Sequence, residues 1–168
     1  TFAVDIFSLG CLFFNVLVPG SHPFGDQWYD REANVARNKF DLSPMGDRLA
    51  DAQDLVARMI SADPLKRPSA AQTIAHPFFW GSEKRLSFLV TFSDRIEQER
   101  DPTSPLLRGV EANAADVVGH SWDNRLHPDL TNDVGKFRRY DVTLVRDCLR
   151  VIRNKTHHWQ ELPPKVQQ

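Results

Sequence analysis

Residues 145–159 read "VRDCLRVIRNKTHHW", and the folding of this stretch decides how the rest is read. Val145, Cys148, Leu149 and Ile152 stand at i, i+3, i+4 and i+7, the spacing of one face of an α-helix. The pattern predicts a helix over 142–158 with that stripe as its buried face. Asn154 and His158 lie one turn apart and off the stripe, flanked by Arg150 and His157. An amide and an imidazole are thus presented together at the C-terminal end of a helix. His157 is turned about 100° from His158 around a regular helix. The pair does not aim at one metal ion, no further ligand stands at zinc spacing, and no metal site is expected.

The surrounding composition is that of a soluble globular protein. The 168 residues are 41% hydrophobic and 26% charged, with a net charge of −1. That length suits about one domain or two small ones. Cys11 and Cys148 sit far apart in apolar stretches and read as buried free thiols. No apolar run reaches the roughly 20 residues of a membrane span, so no membrane contact is expected of this segment. Residues 136–158 hold seven Lys/Arg against two acids, Asp141 and Asp147. Such a run suits a polyanion, although basic helix faces are often merely solvated.

The rest of the chain also reads as helical. Residues 4–17 form a dense apolar segment expected to be buried nearly all round. "PGSHPFGD" ends it, 26–38 suit a surface helix, and 51–60 place Leu55, Met59 and Ile60 on one stripe. Asp63-Pro64 makes a turn, and Ser69 is placed to cap a short helix. Beyond Trp80, Leu86, Leu89, Val90, Ser93 and Ile96 mark an amphipathic helix with Ser82 at its start. "LLRGVEANAADVVG" suits another, weakened by Gly109. Residues 120–141 are turn-rich, and His120, Trp122 and His127 are expected to pack against the first half of the chain. No stretch alternates convincingly as a strand, and the expected fold class is all-α.

Two sets of motifs carry a family resemblance. "VDIFSLGCLFF", "SHPFGD", "DPLKRPSA" and "AHPFFW" resemble the lower half of a protein-kinase C-lobe over residues 1–79. Residues 80–168, with "EKRLSFLVTFSDRIEQE", "KFRRY" and "VRDCLRVIRNKTHHWQELP", resemble the kinase-extension nuclease domain. That domain is fused to the kinase in the inositol-requiring kinase/endoribonucleases of the unfolded protein response. The resemblance implies an all-helical kinase fragment joined to an all-helical nuclease domain. "HPFFW" runs from one to the other without a flexible linker, so the halves are expected to move as one body. No Gly-rich phosphate loop, strand lysine, H-R-D or D-F-G motif occurs, so ATP/ADP and Mg are expected only in a longer parent. The family extension continues for several more helices, so this one is expected to be C-terminally incomplete.

The resemblance also implies roles for residues. Asp5 would brace the catalytic loop of a kinase, and Arg67 would pair with a glutamate of the activation segment; both roles are structural. Tyr140 would be general base, His158 general acid, and Arg153 and Asn154 would hold the scissile phosphate. Tyrosine is a weak base at neutral pH, so that role needs nearby cations, for which Arg138, Arg139 and Arg153 are the candidates. The reaction implied is attack of a ribose 2′-hydroxyl on its own phosphate, which needs a base, an acid and charge stabilisation but no metal or other cofactor. Implied partners are an RNA stem-loop and further copies of the parent in a back-to-back dimer or higher oligomer. The implied setting is the cytosolic face of the endoplasmic reticulum membrane, in mRNA splicing or decay. Two other readings stay open: a non-catalytic scaffold derived from a kinase, and the end of a Ser/Thr protein kinase with a regulatory tail. Taken alone, His158 is more often a surface histidine and Tyr140 a core aromatic.

Overall fold

The computed structural model describes residues 2–134, 138–162, 164 and 167. Lys136 and Phe137 of "KFRRY", and most of "PPKVQQ", lie outside the described residues. Among the described residues the regular elements are all helical, as the periodicity requires. The chain divides into two compact units, Thr1–Gly81 and Ser82–Gln168.

The first unit is built on two helices, α1 (Phe2–Leu17) and α3 (Ala50–Met59), with the exposed helix α2 (Trp28–Ala36) between them in sequence. Ile6, Gly10 and Phe14, one residue per turn, bury a stripe of α1. Ala52, Leu55, Val56 and Met59 are buried on α3, with Ile60 just beyond it. Gly10 lets the two elements touch, because a Cβ there would lie 2.8 Å from both Met59 Cβ and Ile60 Cγ2. The expectation that 4–17 is buried all round is corrected. Val4, Leu12 and Val16 are exposed, since within this unit α3 covers only one side of an all-apolar helix. The short helix α4 (Ala70–Ile74) starts with a capping box, in which Ser69 and Gln72 each accept the other's backbone N–H. Arg67 donates to the carbonyls of Ser61 and Ala3, at 2.8 and 2.9 Å, and its guanidinium lies over the Phe7 ring. It ties the "DPLKRPS" turn to the first turn of α1. Asp5 is exposed.

The second unit contains α5 (Ser82–Glu97), α6 (Pro105–Glu111), α7 (Ala114–Val118), α8 (Pro128–Val134) and α9 (Val145–His157). The segment around Gly109 is two helices, not one. The break falls at Ala112 and Asn113, and Gly109 stays within α6. The stripe of α5 is buried only toward its C-terminal end, at Ser93 and Ile96, while Leu86 is exposed. α9 is the central element and differs from the single-stripe expectation, because it packs on two sides. Leu149 joins Ile96 and Leu107 on one side, and Val151 joins Val118, Trp122 and Val134 on the other. Val145, Cys148 and Ile152 are only half-buried. No side chain of its own caps the start of α9. Instead the Glu111 carboxylate accepts the N–H groups of Val145 and Arg146, both at 2.9 Å, placing negative charge at the positive end of the helix dipole.

Candidate active site

The turn before α9 fixes Tyr140. The carboxylate of Asp147, 8% exposed, accepts the N–H of Asp141 at 2.7 Å. The Asp141 carbonyl accepts the indole N–H of Trp122, and the Asp141 carboxylate accepts both the N–H and the hydroxyl of Thr143. Those two Thr143 bonds, the hydroxyl first, hold the Asp141 carboxyl below the usual aspartate range. With its neighbour pinned at three points, Tyr140 rests edge-to-face on Trp122, with ring centroids 6.3 Å apart. Trp122 is thus part of the second unit's own core, and the expectation that it packs against the first half is corrected. His120 and His127 are exposed.

The C-terminal half of α9 then brings the sequence candidates together. Asn154 Nδ2 donates to the Tyr140 hydroxyl at 3.1 Å. Asn154 Oδ1 accepts from Nε and Nη2 of Arg153, at 3.2 and 3.0 Å, while Arg153 Nη1 donates to Asp94 of α5 at 3.3 Å. A cation, an amide and a phenol therefore form one chain of hydrogen bonds. The fork of Arg153 orients the amide so that its NH2 group faces the tyrosine oxygen. His158 is the C-cap of α9, and its N–H closes the last turn on the Asn154 carbonyl. The His158 ring is mostly exposed, with Nδ1 2.8 Å from Glu161 Oε1.

Tyr140, Asn154 and His158 line one pocket of about 440 Å³, together with Asp133, Val134, Lys155, Glu161 and Leu162. Lys155 is ion-paired with Asp133 on its wall. Arg153 does not line this pocket and stands behind Asn154. Asp5 and Arg67 line a different pocket, in the first unit. Glu161 and Asp133 are not singled out by the sequence, and Lys155 stands out there only as one charge of the basic run. The signal for Glu161 was its i+3 distance from His158, while Asp133 becomes a neighbour only through the fold.

The basic run is less free than its composition suggests. Arg150 is paired with Glu97 and Asp147, Arg146 lies 3.6 Å from Glu97, and Arg153 meets Asp94. Partial burial opposes ionisation of Glu97, but Arg150 and its neighbours overcome it and hold the carboxyl below the usual glutamate range. Arg138 and Arg139 are exposed, and the Arg138 guanidinium lies 5.7 Å from the Tyr140 ring centre. Partial burial pushes the Cys148 thiol up from its ordinary value; like Cys11 it is a free thiol.

Comparison with known proteins agrees with this division. The family model "Ribonuclease 2-5A" matches residues 85–168, half of the chain, and "Protein kinase domain" matches residues 1–79. The serine/threonine-protein kinase/endoribonuclease IRE1a of Arabidopsis thaliana is 45% identical over 169 residues, covering 100% of this chain and 20% of its own. The chain belongs to the inositol-requiring kinase/endoribonuclease family. Two other members are similar to it. The sensor for unfolded proteins in the ER of Schizosaccharomyces pombe is 45% identical over 98% of this chain and 16% of its own length. Human serine/threonine-protein kinase/endoribonuclease IRE2 is 47% identical over 100% of this chain and 18% of its own. The chain therefore spans about a fifth of the length of the family members it matches. No helix of the described residues is long and apolar enough to cross a membrane.

Proposed function

We propose that this chain carries the endoribonuclease site of an ER-stress sensor facing the cytosol, and that Tyr140, Asn154 and His158 act together in it. The observation that carries this reading is their meeting in one pocket, with Asn154 bonded to the Tyr140 hydroxyl. The family names favour this over a non-catalytic scaffold. Its substrate is RNA in a stem-loop, and the parent protein works as a dimer or higher oligomer.

In the proposed reaction Tyr140 takes the proton of the ribose 2′-hydroxyl. The 2′-oxygen bonds to phosphorus as the bond from phosphorus to the 5′-oxygen breaks. His158 Nε2 delivers a proton to that leaving oxygen, and the products are a 2′,3′-cyclic phosphate and a 5′-hydroxyl. Asn154 positions Tyr140 and offers its amide to the phosphate. Arg153 serves the phosphate at one remove, by holding Asn154. Cleavage needs no cofactor, and ATP or ADP with Mg belongs to the kinase chemistry of the parent.

The test is cleavage of a short RNA hairpin in EDTA by this chain. The expected products end in a cyclic phosphate, and a single 2′-deoxy nucleotide at the cleaved position abolishes the reaction. Cleavage of the deoxy hairpin, or dependence on a divalent metal, would overturn the mechanism.

A further inference from the structure

We infer that Glu161 is a positioning residue for His158, selecting the ring tautomer in which Nδ1 carries the proton and Nε2 faces the pocket. This rests on the reading of His158 as the general acid. The cause is local. α9 ends at His157 with His158 as its C-cap, and residues Trp159–Glu161 then form a 3₁₀ turn, in which Glu161 N–H donates to the His158 carbonyl at 3.0 Å. Residues three apart in a 3₁₀ turn eclipse one another, so Glu161 is stacked on His158. The turn is anchored at its end. Leu162, 4% exposed, is buried at its end, and Gln167 Nε2 donates to the Leu162 carbonyl at 2.7 Å. Glu161 is itself exposed, so nothing in the core requires a carboxylate there.

The consequence is chemical. An ionised carboxylate only accepts hydrogen bonds, so at 2.8 Å its partner Nδ1 must carry a hydrogen. The neutral side chain of a free histidine prefers the opposite tautomer, with hydrogen on Nε2. The Nδ1–H form is also what remains after protonated His158 has given its Nε2 proton to the leaving 5′-oxygen. Glu161 therefore stabilises the ring in the state that the acid step produces, and holds it so that Nε2 and not Nδ1 meets the substrate. The other carboxylate of the pocket, Asp133, is occupied by Lys155. His157 is exposed on the preceding position.

The test reads the tautomer directly. ¹⁵N NMR of the His158 ring in the intact chain, at a pH where the ring is neutral, is expected to show Nδ1 protonated and Nε2 bare. Glu161→Gln, whose amide can accept from Nδ1–H or donate to a bare Nδ1, relaxes that preference to a mixture of the two forms, and Glu161→Ala reverts to the Nε2–H form. Hairpin cleavage is expected to fall about tenfold or more in Glu161→Ala, the usual scale for losing a group that orients a working histidine, and to fall by less in Glu161→Gln. An Nε2–H ring in the unmodified chain, or full cleavage by Glu161→Ala, would overturn the inference. If the unmodified chain does not cleave RNA at all, the cleavage reading fails, and the ring spectra alone decide whether Glu161 sets the tautomer.

Discussion

In the first half of α9, Asp147 and Arg150 are consumed by structure, whereas at the other end Asn154 and His158 face a pocket. Both ends are polar and both belong to a run that looks like one basic surface. They differ in their neighbours. The first half lies beside the acid-bearing last turns of α5, where Glu97 meets Arg150, and beside the turn at Asp141. Past Arg153 the helix outruns those partners, and its end meets Tyr140, Asp133 and the 3₁₀ turn at Glu161. A count of charges does not measure charge available to a ligand. Half of this helix uses its charges to hold Tyr140 in place for the other half.

That contrast can be broken most severely at Asp147. Asp147→Ala leaves the Asp141 N–H unmet and removes one of Arg150's two acids, so a stability loss of about 3 kcal/mol is expected from the breaking of a buried pair. The shift in urea midpoint measures it, and a variant as stable as the parent would show that the network is ornamental. A smaller effect is expected with pH. The Glu97 and Asp141 carboxyls sit below their usual ranges when folded. Their stabilisation is therefore complete above those ranges and is lost as pH falls below about 4. Thermal melts between neutral pH and acid should show this loss, and Glu97→Gln should flatten part of it. At the functional end, Arg138→Ala and Arg139→Ala should leave stability unchanged. Each should weaken RNA binding and lower the slope of log affinity against log salt by about one. An unchanged slope would remove these arginines from the RNA surface. The smallest effect is expected at Ser93, whose buried hydroxyl has no hydrogen-bond partner among the described residues. Ser93→Ala should change stability by no more than about 1 kcal/mol, toward greater stability.

The parts legible in the sequence were those fixed over short distances. Helical spacing gave α3 and α9, the Ser69 cap was local, and Asn154 with His158 could be paired because one helical turn joins them. The residues that resemble the family motif added Tyr140, which nothing in the periodicity of the chain would have singled out. What could not be read depended on contacts between distant segments. Arg150 meets Glu97 across 53 residues, and Arg153 meets Asp94 across 59. Trp122 lies in the core of the second unit, and no local pattern says which core an isolated aromatic joins. The exposed side of α1 is not legible either, because mean apolarity does not reveal how many neighbours a helix has.

The most direct test of the central claim, that Tyr140, Asn154 and His158 form one working unit, is a double-mutant cycle in single-turnover RNA cleavage with EDTA. His158→Ala and Asn154→Ala should each slow cleavage by about a hundredfold or more. The double variant should be no slower than the slower of the two, because groups that act as a unit lose their effect together. A double variant slowed by the product of the two single losses would show that the residues act independently, and a His158→Ala chain cleaving at the parent rate would contradict the account outright.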